Sequence, residues 1–107
     1  MLLVRAIIRP EKSGAVMSEV AAAGFPAVTK MAVYGRGKQK GIKVGDVVYD
    51  EIPKEMLMYF INDEDKDDLV KIIMRVAKTG EGNFGDGRIF ISPVESAYTV
   101  STAKEGL

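Results

Sequence analysis

The chain has 107 residues, a formal net charge of zero and a hydrophobic fraction of 47%, and it contains neither cysteine nor histidine. At this length we expect one domain with a modest core. The composition excludes disulfides, thiolate nucleophiles, most zinc sites and histidine-dependent triads. The neutral charge disfavours a general nucleic-acid binder. The apolar start, interrupted by Arg5 and Arg9, is too short for a signal peptide or a membrane span, so we expect a soluble cytoplasmic protein.

The first half of the chain predicts a strand, a helix and a second strand. Residues 2–9 are rich in β-branched and aliphatic side chains and end at Pro10, which suits the first turn of a helix. The apolar residues that follow recur with helical spacing: Val16, Met17, Val20 and Ala23. Gly24 then provides a helix stop, and residues 28–34 return to strand character.

The second half predicts a strand at 57–61, a helix and a strand at 88–91 that Pro93 stops. Asn62 and Asp63 offer an N-cap, and acidic residues suit the start of a helix. The helix is indicated by apolar residues at i, i+3, i+4 and i+7: Leu69, Ile72, Ile73 and Val76. The acidic run 63–68 lacks the calcium-loop pattern, and we interpret it as a solvated helix start. Residues 94–100 are expected to add a short strand or a docking tail.

The order strand, helix, strand, strand, helix, strand predicts an α+β, ferredoxin-like (βαββαβ) fold, in which two helices cover one face of an antiparallel sheet. The other face would be left open. We expect that open face to be a subunit interface. Four apolar residues could line either face of the sheet: Leu3, Ile7, Met58 and Phe60.

A long excursion of nineteen residues, Gly35 to Pro53, separates two strands that a short hairpin would ordinarily join. It opens with GRGKQKG, in which three glycines free backbone N–H groups and Arg36, Lys38 and Lys40 add positive charge. This pattern is typical of phosphate or carboxylate binding, and a solvated basic loop is the alternative. RNA binding is weaker, because aromatic stacking platforms are few.

The segment TGEGNFGDGRIF contains G-x-G-x-x-G at Gly80, Gly82 and Gly85. A dinucleotide fingerprint follows a strand and opens a helix, whereas this segment follows a helix and precedes a strand. We therefore predict no dinucleotide fold and no P-loop. Residues 85–88 remain as a tight turn that offers backbone N–H groups and one guanidinium, and a helix cap followed by a turn is the alternative. No catalytic constellation emerges, so the sequence predicts no enzyme.

Three segments together resemble the PII signal-transduction family over nearly the whole chain: RAIIRPEK, GRGKQKG and TG…GDGRIFISPVE. The resemblance implies a single domain, 1–107, with a T-loop at about 36–53, a B-loop at about 79–88 and a C-terminal tail at about 93–107. It also implies a trimer of ferredoxin-like subunits. Such proteins bind ATP or ADP between subunits and 2-oxoglutarate beside Mg²⁺-ATP, and their T-loop docks on target proteins.

The resemblance also implies roles for individual residues. Those implied to bind nucleotide are Ile7, Thr29, Gly35, Gly37, Lys38, Gln39, Phe60, Gly85, Asp86, Gly87 and Arg88. Those implied to bind 2-oxoglutarate are Gln39, Lys40, Gly41 and Lys54. Gln39 is also the implied Mg²⁺ contact. The implied partner-binding loop residues are Arg36, Lys43, Asp46, Tyr49, Asp50 and Glu51.

The sequence departs from the family pattern at several of these places. Lys38 stands where arginine is usual, and Arg88 where lysine is usual. Thr99 and Ser101 align with arginines that reach a neighbour's nucleotide, so phosphate binding is expected to be weaker, with Arg36 or Lys104 as candidates to compensate. The B-loop carries two extra residues within 81–84, a stretch that fits no family role.

The short T-loop resembles the nitrogenase-regulating (NifI) branch of the family, and its first paralogue more than its second. Tyr49 lacks the Y-x-G-A-E-Y surroundings, so uridylylation is not expected. The predicted function is a sensor that inhibits nitrogenase when 2-oxoglutarate is low, assembled from copies of itself or with its paralogue. A general PII protein acting on glutamine synthetase or an ammonium transporter is the alternative. A nucleotide hydrolase and an RNA-binding module are the competing classes.

Overall fold

The computed structural model describes residues 1–36, 42–44, 47–49 and 51–107. Its elements, in chain order, are β1 (Leu2–Ile8), α1 (Pro10–Ala22), β2 (Thr29–Gly35), β3 (Ile42–Val44), β4 (Val47–Tyr49), β5 (Ile52–Ile61), a 3-10 turn (Asp63–Asp65), α2 (Lys66–Ala77) and β6 (Gly87–Pro93).

Four strands form one antiparallel sheet in the order β2-β5-β1-β6. Strands β3 and β4 pair with each other as a separate hairpin between β2 and β5. Both helices pack on the same face of the large sheet, around a buried core of Val4, Ala6, Ile8, Val16, Val20, Leu57, Tyr59, Ile61, Leu69, Ile73 and Ala77. This arrangement confirms the predicted ferredoxin-like fold.

The helices begin and end close to the predicted residues. Pro10 opens α1, and Gly24, with φ of 105°, follows its end. Ala23 lies beyond the last turn and is exposed, so its predicted place on the buried face was wrong; Ser13 is buried instead. The second helix starts three residues later than its acidic cap suggested, because 63–65 form the 3-10 turn.

The sheet face away from the helices is partly exposed and largely apolar, with the exposed Arg5 opposite Met58 and Phe90. Because side chains alternate along a strand, Leu3 and Ile7 of β1 point away from Val4 and Ala6, and their partners on β5 share that face. We call the residues of this surface the open face: Leu3, Ile7, Met31, Met56, Met58, Phe60 and Phe90. Phe60 is 46% exposed and Phe90 48%, so the predicted open face is present.

Strand β5 begins at Ile52, five residues before the predicted start. Pro53 was interpreted as a boundary, but it lies opposite Tyr34 of β2, beyond the end of the β1 pairing at Glu55. Strand β5 has only β2 beside it there, and a proline without an N–H is tolerated where one side of a strand is unpaired. The earlier start places Lys54 on the sheet, opposite Val33.

The C-terminal tail folds back on itself. The N–H of Thr99 donates to the Lys104 carbonyl at 2.9 Å, and that of Gly106 donates to the Ala97 carbonyl at 2.8 Å. The Tyr98 hydroxyl donates to the Glu105 carboxylate at 2.9 Å. The sequence predicted a short strand or a docking tail for this segment. The structure contains a compact reverse turn with one β-bridge, Tyr98 to Glu105.

The backbone at Gly87 makes a specific prediction about stability. Its φ is 124°, and a Cβ added there would overlap the Ile7 carbonyl oxygen. We expect Gly87→Ala to lower the free energy of unfolding by about 2 kcal/mol or more, since strained backbone and overpacking both cost energy. Urea unfolding at fixed protein concentration measures this change.

The matched control is Gly14→Ala, where a Cβ in the interior of α1 meets nothing within 4 Å. This variant is expected to gain roughly 0.5–1 kcal/mol from better helix propensity. Equal stability of Gly87→Ala and the wild type would contradict the close approach of β6 to β1.

Candidate functional site

Two loops leave the sheet at the same end of its strands, which we call the loop edge. In an antiparallel sheet, the ends of β1 and β2 lie beside the starts of β5 and β6, as the pairs Ile8 to Glu55 and Ile8 to Gly87 show. The connection after Gly35 and the loop between α2 and β6 therefore meet at this edge. The chain separates these loops by more than forty residues, and the register brings them together.

The loop before β6 is organised around the Asp86 carboxylate. Its Oδ1 accepts hydrogen bonds from Thr79 Oγ1 at 2.6 Å and from Arg9 Nε at 3.1 Å. Its Oδ2 accepts from the backbone N–H of Asn83 at 2.9 Å and of Thr79 at 3.1 Å. The loop is thus a helix end followed by a side-chain-closed turn, the alternative that the sequence left open for this segment.

Two cationic side chains donate hydrogen bonds to backbone carbonyls of the same loop. Arg9 Nη2 donates to the Phe84 carbonyl at 2.8 Å, and Lys54 Nζ donates to the Gly85 carbonyl. Among the described residues, no hydrogen bond from the Gly85 N–H is found.

The surroundings shift the pKa values of two groups at this edge. Burial lowers the pKa of Lys54, the nearby Arg9 guanidinium lowers it further, and Glu11 and Asp86 oppose the shift. For Asp86, burial alone would raise the pKa, but the hydrogen bonds from Thr79, Asn83 and Arg9 outweigh it and hold that pKa well below its usual range.

A cleft of about 540 Å³ opens between the two loops, a size that suits a small-molecule ligand. Its lining residues are Ile7, Gly35, Arg36, Ile52, Lys54, Asn83, Phe84, Gly85, Asp86, Gly87, Arg88 and Phe90. Arg36, Lys54 and Arg88 bring positive charge, whereas Asp86, the one carboxylate among the described lining residues, is already paired with Arg9. The cleft therefore suits an anion that also carries an apolar or aromatic part.

The structure brings together most of the predicted nucleotide residues that it describes. Those that line the cleft are Ile7, Gly35, Gly85, Asp86, Gly87 and Arg88, together with the predicted 2-oxoglutarate contact Lys54 and the predicted loop residue Arg36. Thr29 and Phe60 do not join them. Phe60 pairs with Leu3, four residues and roughly 13 Å along the strand from Ile7, and Thr29 lies on the far edge strand opposite Met58.

The remaining predicted residues are outside the cleft or outside the described residues. Glu51 is exposed just before β5, and Thr99 and Ser101 are exposed in the tail. Lys43 and Tyr49 belong to the paired strands β3 and β4. The predicted residues that lie outside the described ranges are Gly37, Lys38, Gln39, Lys40, Gly41, Asp46 and Asp50.

Sequence reasoning missed three residues of this edge: Arg9, Asn83 and Phe84. Asn83 and Thr79 carried a usable signal, because short polar side chains near glycines favour side-chain-closed turns. Arg9 carried no such signal, since its partners lie 75 and 77 residues away.

Among the described residues, no helix is long and apolar enough to cross a membrane.

Comparison with known proteins agrees with this geometry. The family model for "Nitrogen regulatory protein P-II" matches residues 1–104. The chain is 54% identical over 107 residues to "Nitrogen fixation nifHD region GlnB-like protein 1" of Methanothermobacter marburgensis, covering all of both chains. A nifHD2-region GlnB-like protein 1 of Methanosarcina barkeri is 51% identical over the same full length. A GlnB-like protein 2 of Methanococcus maripaludis is 40% identical, over 94% of this chain and 93% of its own.

The structure is that of a small ferredoxin-like protein with a cation-lined cleft. The family match and the full-length relatives show that the chain belongs to the nitrogen regulatory protein P-II family. Members of this family are trimeric signal-transduction proteins, not enzymes. The chain is thus a PII-type nitrogen regulator similar to the nifHD-region GlnB-like proteins.

The low pKa of Asp86 predicts a pH dependence of stability. A carboxyl group whose folded pKa lies below its ordinary value of 3.8 stabilises the fold fully above that value, and this contribution is lost as the pH falls below it. We expect the free energy of unfolding to fall more steeply between pH 5 and pH 3 in the wild type than in Asp86→Asn. Urea titrations of both proteins across this range measure the difference, and parallel curves would contradict it.

Proposed function

We propose that the protein is a sensor that binds ATP or ADP with Mg²⁺ at the described cleft, binds 2-oxoglutarate beside it, and controls a nitrogenase component through the T-loop at 36–53. It acts in the cytoplasm as a trimer. The observation that carries this proposal is the cleft between the two loops, where three cations and a glycine-rich turn meet an apolar wall. Its family membership supplies the class of regulator.

The chemistry of the cleft suits a nucleoside phosphate. Arg36 and Arg88 supply guanidinium groups, which bind phosphate oxygens in bidentate fashion. The Gly85 N–H adds a backbone donor of the kind that glycine-rich loops offer to phosphates. Ile7 and Phe90 supply the apolar surface that a base requires. A small carboxylate alone would leave much of the 540 Å³ unfilled.

A second subunit explains why the predicted nucleotide residues fall into two groups. Thr29 and Phe60 lie toward the far end of the sheet from Gly85 and Arg88, so one chain cannot close all of them around one ligand. The open face contains a member of each group, Phe60 and Ile7, and its apolar residues favour burial against another copy. Packing of copies through that face would set the Phe60 end of one chain beside the cleft of its neighbour.

The effector is proposed to bind at Lys54. The ammonium of this residue now donates to the Gly85 carbonyl, and a carboxylate from 2-oxoglutarate would offer it a charged and therefore stronger acceptor. Gln39, Lys40 and Gly41, at the base of the T-loop, would complete this site, with Gln39 also contacting Mg²⁺. Effector binding would thereby change both the loop before β6 and the T-loop, which couples ligand state to target binding.

The target is proposed from the relatives. Proteins named for the nifHD region of nitrogen fixation match this chain along its whole length, and the T-loop is as short as that branch requires. Arg36, Lys43, Asp46, Tyr49, Asp50 and Glu51 are the proposed target contacts. The complex is proposed to form at low 2-oxoglutarate and to separate when 2-oxoglutarate and Mg²⁺-ATP bind together.

Calorimetry with Mg²⁺ tests the ligand assignment. The wild type is expected to bind ADP and ATP, and 2-oxoglutarate only with ATP. Arg88→Gln should weaken ADP binding by about tenfold or more, because a charge-assisted phosphate contact is worth roughly 1.5–3 kcal/mol. The control is Arg75→Gln, a guanidinium exposed on α2 beside Glu19, which should bind ADP normally. Absence of nucleotide binding to the wild type would overturn the proposal.

A pull-down from nitrogen-fixing cells tests the target. The immobilised protein is expected to retain a nitrogenase component, and addition of Mg²⁺-ATP with 2-oxoglutarate should release it. Gln39→Ala should retain the component under both conditions, because it binds ADP but no longer responds to 2-oxoglutarate. Recovery of glutamine synthetase or an ammonium transporter without any nitrogenase component would replace the proposed target with the general PII alternative.

A further inference from the structure

We propose that Asp86 is a positioning residue that does not contact the ligand, and that it forms a clamp with Arg9, Thr79 and Asn83. The clamp holds the loop before β6 in the shape in which Gly85, Gly87 and Arg88 line the cleft. This assigns a role to the extra residues within 81–84. The identity of the ligand rests on the proposed function, whereas the clamp itself can be tested without any ligand.

The hydrogen bonds of the carboxylate carry the first step. An ionised carboxylate accepts about four hydrogen bonds, and Asp86 accepts four from Thr79, Asn83 and Arg9. No acceptor capacity remains for a metal ion or a ribose hydroxyl. Its charge would also repel a phosphate, and the Arg9 guanidinium at 3.1 Å offsets that charge.

The shape of Arg9 carries the second step. Its Nε reaches Asp86 and its Nη2 reaches the Phe84 carbonyl, so one rigid fork fixes two points of the loop to the junction of β1 and α1. Lysine has a single ammonium on a flexible stem and cannot hold both points in this geometry. Arg9→Lys keeps the positive charge and removes the fork, so this variant measures the contribution of the fork alone.

The extra residues carry the third step. Asn83 gives its backbone N–H to Asp86, while its side-chain Nδ2 donates to the Thr79 carbonyl at 3.0 Å and to Thr79 Oγ1 at 2.9 Å. Phe84 supplies the carbonyl that Arg9 holds. The carbonyls of Phe84 and Gly85 thus accept hydrogen bonds from Arg9 and Lys54. None of these hydrogen bonds uses the Gly85 N–H.

The test combines amide hydrogen exchange, ADP calorimetry and thermal unfolding of the full chain. Four loop amides are hydrogen-bonded inside the loop and report on the clamp: those of Thr79, Gly82, Asn83 and Asp86. Asp86→Asn and Arg9→Lys should each speed their exchange on the order of tenfold and weaken ADP binding by a similar factor. Asp86→Asn should also lower Tm, because it loses an ionised carboxylate that stabilises the fold. Thr79→Val, which loses one donor at nearly constant volume, should give a smaller effect of the same kind. Glu81→Gln, exposed in the same loop, is the control and should match the wild type.

The double variant of Arg9→Lys with Asp86→Asn separates positioning from direct contact. Residues that act through one clamp are not additive, so the double variant should lose no more ADP affinity than the weaker-binding single variant. Additive losses, or weaker ADP binding with unchanged exchange, would overturn the clamp and favour direct contact. Unchanged exchange in Asp86→Asn and Thr79→Val would also overturn it. If the wild type binds no nucleotide, the proposed function fails, while the exchange measurements still decide the clamp.

Discussion

Strand β1 pairs with β5 on one side and β6 on the other, and its last residue, Ile8, lies opposite both Glu55 and Gly87. This double pairing fixes where two loops leave the sheet. It also fixes how closely β6 approaches, since Gly87 meets the Ile7 carbonyl without room for a side chain. The anion-binding cleft follows from this register, because a shift by one residue would turn Lys54 and Arg88 to the opposite face.

The sequence predicted those parts of the fold that depend on local periodicity. The helices followed from apolar residues at helical spacing and the four main strands from runs of β-branched and aliphatic residues. The open face followed from the order of the elements, and the glycine loops were placed by their composition. The start of β5 was missed, because Pro53 is a local stop signal that the one-sided pairing with β2 makes tolerable. The role of Arg9 was missed for a different reason. Hydrogen bonds across 75 and 77 residues leave no local pattern.

Family resemblance and geometry contribute different parts of the site. The resemblance implied nucleotide roles for Thr29 and Phe60 together with Gly85 and Arg88, but it said nothing of their positions in one chain. The structure separates them along one apolar face. That separation fits the proposed site shared between subunits, in which the oligomer would be part of the binding chemistry. For Asp86, the resemblance and the structure point to different roles. Its match to the family motif suggested a ligand contact, whereas its hydrogen bonds indicate a positioning role.

The charge balance of the cleft bears on the two arginines that this chain lacks. Thr99 and Ser101 occupy their aligned positions and are exposed in the folded-back tail. Of the two candidates to compensate, Arg36 lines the cleft, whereas Lys104 lies in the tail and its carbonyl accepts the bond from Thr99. Asp86, the one carboxylate among the described lining residues, is already paired with Arg9, so it does not oppose the charges of Arg36, Lys54 and Arg88. In the proposed site, one chain would therefore supply much of the positive charge that a phosphate needs, and a neighbour would add the group of Thr29 and Phe60.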